Sequence, residues 1–256
     1  MQNNTFSGLF IGQNLITLKE VASTNTFLKD GLSKFEPFLE GTVIMAEKQF
    51  SGRGQTNNTW LSEPGQNLTF SILLCPSFLK VDRQFELNKA ISLALNDVLR
   101  EYAGNSAVIK WPNDSYIGNK KIGGMLIENI VNGNSIRHAI VGIGLNINQI
   151  DFPSSLKNVT SLKKELHKDY DLNVLLGEIC NAIEARYLQL RAGHYTKLTA
   201  EYLDRLYLLD EWSNFKIEGI CRSGKIVGIS GSGQLEVETT NGLMVFNNKE
   251  IEFIRS

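Results

Sequence analysis

Cysteine is scarce in this chain: three residues, Cys75, Cys180 and Cys221, far apart and odd in number. That spacing matches neither a disulfide framework nor a paired-cysteine zinc site, which points to reduced, cytosolic surroundings. Each cysteine falls in an apolar strand or helix pattern, where a thiol is usually inert core. The chain has no run of about 18 apolar residues that could cross a membrane, and no charged-then-apolar leader opens it. An excess of either charge is missing too. With 26 Lys and Arg against 27 Asp and Glu, the formal net charge is −1, so no global field exists to hold nucleic acid and any basic site has to be local. The expectation is a soluble globular protein. Its 256 residues, 42% of them hydrophobic, can bury one substantial core and a smaller second one.

Hydrophobic spacing then sketches the elements. Residues 24–32 predict a short helix capped by Ser23 or Thr24, and residues 43–46 and 68–74 read as strands. Leu87, Ala90, Ile91, Ala94, Leu95, Val98 and Leu99 follow helical spacing, which predicts an amphipathic core helix over 83–102. A hairpin joins 121–132 to 136–148 through Asn132-Gly133-Asn134. Leu172, Leu175, Leu176, Ile179, Ile183 and Tyr187 mark a second long helix, and another helical segment covers 195–206. After Trp212 the pattern changes to short strands at 215–222, 225–229, 234–239 and 243–247, with Asn241-Gly242 as a hairpin signal. So short a meander cannot enclose much core, and a small SH3-like barrel leaning on the main domain is expected. By itself the barrel is equally an interaction module.

Chemistry-bearing residues concentrate in three stretches. Residues 46–67 set Gly52-Arg53-Gly54 among polar residues and close with Trp60. The glycines let the main chain approach a ligand closely, and Arg53 adds a permanent forked cation for phosphate or carboxylate. Such tripeptides are also common in solvated hairpin loops, and both readings stand. In residues 108–129 a short strand stops after Lys110, because Pro112 cannot donate to a ladder and Trp111 before it avoids helix. Asn113-Asp114 predicts a turn, with Asp114 a turn former rather than a metal ligand. Lys120, Lys121, Gly123 and Gly124 lead back into an apolar strand. A plain hairpin with surface lysines fits equally well. In residues 141–148, Gly142 and Gly144 lack the third glycine and the following helix of a dinucleotide fingerprint. A buried strand whose glycines admit a backbone or a flat ligand fits better, with Asn146 able to donate and accept at a base edge.

Together with Ser23-Thr24-Asn25, these stretches resemble the biotin protein ligases. The shared pieces, in the family's order, are Ser23-Thr24-Asn25, Gln49 followed by Gly52-Arg53-Gly54 and Trp60, Lys110-Trp111-Pro112-Asn113-Asp114, Lys121-x-x-Gly124, and Gly144-x-Asn146. The likeness runs from about residue 18 to the C-terminus. Family members usually carry Gly-Arg-Gly-Arg-x-Gly. Here Gln55 and Asn57 hold the later Arg and last Gly positions, so one phosphate-facing cation is absent.

The resemblance implies an α+β fold: a mixed β-sheet flanked by helices, of the class II synthetase and biotin ligase kind, over residues 1–212, then a small C-terminal SH3-like β-barrel over 213–256. It implies the monofunctional form without an N-terminal DNA-binding domain, since fewer than 20 residues precede Lys19. The implied reaction activates biotin with ATP and Mg2+ to biotinoyl-5'-AMP, releasing pyrophosphate, then transfers biotin to a lysine of a biotin carboxyl carrier domain. Lys110 and Arg53 are the implied catalytic residues. Biotin would meet Ser23, Thr24, Asn25, Gln49, Gly52, Arg53, Trp60, Lys110 and Gly124. ATP and the adenylate would meet Arg53, Gly54, Gln55, Trp60, Lys110, Asn113, Lys121 and Asn146. No protein ligand to Mg2+ is assigned and no tightly bound metal is expected. The implied setting is cytoplasmic, with no membrane or nucleic-acid partner, and homodimerisation through the sheet is compatible with it. Alternatives are a lipoate or octanoate ligase or transferase, a transcriptional regulator, and a non-catalytic biotin-binding protein.

Overall fold

A computed structural model describes residues 7–33, 38–55 and 58–254. Asn57 of the glycine-rich loop therefore lies outside the described residues. The frame is a seven-stranded mixed sheet built from β1 (Leu15–Val21), β2 (Val43–Gln49), β3 (Leu68–Leu74), β4 (Ala107–Lys110), β5 (Asp114–Ile117), β6 (Lys120–Asn132) and β7 (Ser135–Leu145). Their order across the sheet is β1-β2-β3-β7-β6-β5-β4. β1 pairs with β2 in parallel, and the remaining neighbours are antiparallel.

Alternation along the central strands decides what each face meets. On one face Val43 and Met45, then Phe70 and Ile72, then Val141 and Ile143 join the main core with α2 (Gln84–Ala103) and, after the short α3 (Leu162–Leu166), α4 (Leu172–Arg191). The predicted stripe of α2, from Leu87 to Leu99, is buried as its spacing requires. On the other face Ile44, Leu73 and Ile140 form a smaller cluster with Leu28 of α1 (Thr24–Gly31). Beyond that cluster the same face turns small and polar, at Ser71 and Thr69 of β3 and Gly142 and Gly144 of β7. The floor of a cleft begins there.

The C-terminal unit is a separate antiparallel sheet of β8 (Trp212–Ile217), β9 (Ile220–Ile229), β10 (Leu235–Thr239), β11 (Gly242–Phe246) and β12 (Ile251–Phe253), in the order β11-β10-β9-β8-β12. It is the small SH3-like unit expected, although among the described residues β11 and β12 do not pair to close a barrel. The single strand expected at 215–222 is instead two strands joined at Glu218-Gly219, with φ of 51° and 81°. Glu seldom adopts that conformation, which hid the turn. Ser223-Gly224, expected as a break, runs straight through β9. The edge strands β1 and β12 and the short β5 were not anticipated, because brief or half-exposed strands carry weak alternation.

Three further expectations change. Ser23 occupies the N-cap of α1, but its hydroxyl makes no capping bond. Asp114 opens β5 and pairs with Lys121, rather than serving as a turn former. Cys221 is exposed on β9 and not core, whereas Cys180 is buried. Cys75 is half-buried, and burial together with the Glu40 carboxylate pushes its thiol up to about 11. Among the described residues no helix is long and apolar enough to cross a membrane.

The N-terminal segment is pinned by Glu184 of α4, whose carboxylate accepts the backbone N–H groups of Leu9, Phe10 and Ile11 at 2.6, 2.8 and 2.9 Å. Burial opposes the charge, but the three donors outweigh it and hold the carboxyl below its ordinary value of 4.5. That stability is present above the unfolded-state value and is lost as pH falls through the lower folded one. Glu184→Gln is expected to cost about 2 kcal/mol near pH 7, since bonds to a charged acceptor are the strong ones. Thermal melts of both proteins across pH should show the gap closing under acid; a gap that does not change with pH would refute the assignment.

Candidate functional site

The cleft, about 540 Å³, opens over the small, polar end of the central strands. Its floor is a grid of cross-strand neighbours. Thr69 faces Gly144 and Ser71 faces Gly142 across β3 and β7; Gly124 faces Gly144 and Leu126 faces Gly142 across β6 and β7. Directly opposed residues share a face, so three glycines leave one continuous hollow. Their missing side chains are replaced by other groups. A Cβ on Gly142 would lie 2.2 Å from Asn25 Oδ1, and one on Gly144 would lie 2.4 Å from the Trp60 ring. One on Gly124 would lie 2.8 Å from Asp114 Oδ1.

Ser23, Thr24 and Asn25 enter from the start of α1, all buried and all lining the cleft. Ser71 Oγ lies 2.6 Å from both Thr24 Oγ1 and Asn25 Oδ1. Gln49, at the end of β2, accepts from the Thr24 backbone N–H at 2.8 Å and from its hydroxyl at 3.2 Å. The glycine-rich loop follows as a tight excursion. Trp60 N–H donates to the Gly52 carbonyl at 3.0 Å, and Gly54 N–H to the Asn58 carbonyl at 2.6 Å. Gly52 is required by this closure rather than by the cleft, which it does not line: a Cβ there would sit 2.6 Å from the Trp60 carbonyl. Arg53, Gly54, Gln55 and Trp60 do line it. The Trp60 indole N–H is buried with no acceptor among the described residues.

Two carboxylates hold two of the cleft's cations, Arg53 and Lys121. Glu128 of β6 accepts from Arg53 Nη2 at 2.9 Å and from Asn25 Nδ2 at 2.9 Å, and lies 3.5 Å from Lys29 Nζ. Asp114 accepts from Lys121 Nζ at 2.6 Å. Lys110 ends β4 as expected and lines the cleft, half-buried, with its ammonium 3.4 Å from Tyr116 Oη. Its strand is gripped from behind, because Ile109 N–H donates to the Arg205 carbonyl and the Ile109 carbonyl accepts from Tyr207 N–H, both at 2.8 Å. Arg205 is held in turn by Asp97, which also takes Arg186. Burial raises the Asp97 carboxyl, but hydrogen bonds from these two guanidinium groups outweigh it and leave it below its ordinary value.

Two predicted residues are also tied into the fold. Asn113 borders the cleft, yet its amide donates to the Met125 carbonyl at 2.7 Å and so ties the corner to β6. Asn146 is buried outside the cleft lining and donates to the Thr160 carbonyl at 3.1 Å. Other contributors escaped the sequence reading. Ser71 and Glu128 could have been found as polar residues inside apolar strands. Asn248, whose amide donates to Gln55 Oε1 at 2.5 Å, and Phe253 come from the C-terminal sheet and carry no local signal. Among the described residues no group of three His, Cys, Asp or Glu is placed to hold a metal ion.

Gly144→Ala drives a methyl group into the Trp60 ring. It is expected to cost about 1–3 kcal/mol of stability, the usual penalty for overpacking, and to change the tryptophan emission. An unchanged spectrum and melting point would show that the indole does not rest on Gly144.

Comparison with known proteins agrees with this geometry. The Biotin/lipoate A/B protein ligase family model matches residues 18–146. The Bifunctional ligase/repressor BirA of Bacillus subtilis is 31% identical over 247 residues, covering 94% of this chain and 74% of that protein. A Biotin--[acetyl-CoA-carboxylase] ligase of Paracoccus denitrificans is 33% identical over 117 residues, covering 44% of this chain and 48% of its own. Among solved structures, the biotin protein ligase from Aquifex aeolicus in complex with biotin and ATP superposes with a TM-score of 0.79 at 31% identity, covering 95% of this chain and all of that one. Matching sequence over half the chain, and a shared fold over nearly all of it, place this protein in the Biotin/lipoate A/B protein ligase family.

Proposed function

We propose that the protein is a biotin protein ligase, which joins biotin and ATP into biotinoyl-5'-AMP with release of pyrophosphate and then passes biotin to a lysine of a biotin carboxyl carrier domain. The observation that carries this reading is convergence. Polar groups of α1, the Gly52-Arg53-Gly54 loop and the Lys110 corner meet over one glycine-floored cleft. A carboxylate is inert towards an amine at neutral pH, and replacing its oxide with AMP supplies a leaving group. In the first step a biotin carboxylate oxygen attacks the α-phosphorus and pyrophosphate departs. In the second the acceptor amine attacks the acyl carbon and AMP departs.

Two anions must approach each other in the first step, and cations offset their repulsion. Lys110 bridges the carboxylate and the α-phosphate, while Arg53 leaves Glu128 for the incoming phosphates, which offer stronger charge-assisted bonds. Lys121 and Gln55 support the nucleotide. The ureido head of biotin, with one acceptor and two donors, suits Ser23, Thr24, Asn25 and Gln49. Gly124 keeps the floor open and Trp60 walls the apolar tail. The second step relies on positioning and exclusion of water. Mg2+ arrives on the triphosphate. Residues 1–212 form the catalytic domain and 213–256 the SH3-like one, in a cytoplasmic protein that uses no nucleic acid. A second copy would pair through the sheet. A lipoate or octanoate ligase is the second reading, since the matching family model spans both ligase types.

Exchange of labelled pyrophosphate into ATP, run with biotin, lipoate or octanoate, separates these readings. Biotin-dependent exchange is expected; exchange with lipoate alone moves the protein to the second reading. Lys110→Ala should lower exchange by roughly 100-fold or more, the scale of losing a charge-stabilising group, while the melting temperature holds. Wild-type turnover in that variant would remove Lys110 from its role. Arg53→Ala should release more free biotinoyl-5'-AMP into solution, and retention equal to wild type would leave Arg53 without a part in holding the intermediate.

A further inference from the structure

Aromatic rings from two segments flank the ammonium of Lys110, and a third ring backs them. Its Nζ lies 4.7 Å from the centre of the Phe253 ring and 5.3 Å from that of Tyr116. Both distances fall inside the range, about 6 Å, over which a ring face attracts a cation. Tyr116 belongs to β5 of the main sheet and Phe253 to β12 of the C-terminal sheet. Tyr207 joins them, stacked on Tyr116 at 5.7 Å and 29° and on Phe253 at 6.4 Å and 26°. This Tyr207 is also the residue whose backbone N–H holds Ile109, next to Lys110. Phe253 is fixed from its far side by an edge contact with Phe215 at 5.3 Å and by its ladder position opposite the same residue. It is half-buried, and one side borders the cleft.

We propose that Phe253 is a positioning residue for the activation step: its ring, together with that of Tyr116, holds the Lys110 ammonium where carboxylate and phosphate meet. The inference rests on the role given to Lys110 above. A lysine stem has four flexible carbons and carries much rotamer freedom, so an ammonium held in place beforehand loses less on meeting the substrates. The C-terminal sheet then orients the reacting cation, and does more than wall the cleft. The Asn248–Gln55 bond, from the turn before β12 to the glycine-rich loop, keeps that sheet against the site.

A ring that acts through its π-face differs from one that only fills space, and fluorination tells them apart because it weakens the face with little change of shape. The full-length protein is prepared with phenylalanine, difluorophenylalanine or trifluorophenylalanine at position 253, and as Phe253→Leu and Phe253→Tyr. Biotin-dependent pyrophosphate exchange is measured beside the melting temperature and biotin affinity. Exchange kcat is expected to fall stepwise with fluorination and in Phe253→Leu, by about 2- to 30-fold in all, the factor to which cation–π strengths correspond. Phe253→Tyr should keep the rate, and biotin affinity and melting temperature should hold through the fluorinated series. On a Lys110→Ala background the residual rate should ignore fluorination. The Lys110 side-chain protons, shifted upfield by the rings, should move back in Phe253→Leu, a readout independent of turnover. A flat fluorine series in an active wild-type enzyme, or an equal decline on the Lys110→Ala background, overturns the inference alone. Absence of biotin-dependent exchange in the wild type overturns the functional reading and this inference with it.

Discussion

Gly142 and Gly144 lie opposite Ser71 and Thr69 in the β3–β7 ladder, and the volume of their missing side chains is what Asn25 and the Trp60 ring occupy. The cleft follows from that exchange of volume. A sheet whose central strands carried larger residues on this face would extend the small Ile44, Leu73 and Ile140 cluster and push α1 and the glycine-rich loop outward. With glycine there, side chains brought from elsewhere touch the backbone directly, and Ser71 becomes a polar floor that α1 can dock on. One strand face thus serves two purposes along its length, core at one end and site at the other. The opposite face is core throughout.

Charge on this floor is arranged around two carboxylates. Glu128 collects Arg53, Asn25 and Lys29, and Asp114 collects Lys121. Such partly exposed pairs contribute little to stability, so their worth lies in placement: each cation is kept at the rim, within reach of an anion able to compete for it. In the proposed reaction the phosphates do so, and the loop that carries Arg53 would tighten as its partner changes. Glu128 links that loop to Asn25, so the proposed nucleotide and biotin contacts share one carboxylate.

The C-terminal sheet is joined to the body around the Lys110 corner at several points. Trp111 Nε1 donates to the Gly233 carbonyl at 2.9 Å, and Asp210 N–H to the Ile226 carbonyl at 2.9 Å. Behind the corner, Tyr202 donates to the Pro112 carbonyl at 2.9 Å. The Trp111 bond is buried, where an unmade partner is costly, so the small sheet is tied firmly to the Lys110 corner. An isolated sheet of this size has little core of its own, and its contacts with the main body supply what it lacks.

Local chemistry was legible without coordinates. The glycine-rich loop, the end of a strand at Lys110, the stripe of α2 and the polar segment before α1 all follow from residue type and spacing, because turns, prolines and amphipathic periods act over a few neighbours. The sequence also showed the small C-terminal strands, though not the Glu218-Gly219 turn, where an unfavourable residue takes a left-handed conformation. Edge strand β1 stayed hidden because half its side chains face water. Residue type marked Asn113 and Asn146 as polar groups able to read a ligand. Only the fold showed that one borders the cleft with its amide spent on Met125 and the other lies buried outside it. Only the fold, too, could bring Tyr116 and Phe253 to Lys110 with Tyr207 stacked on both, since aromatic contacts between distant segments leave no periodic trace. By itself, then, the sequence determined which groups can do chemistry; tertiary packing decided which of them meet, because meeting depends on the face each strand turns towards the cleft.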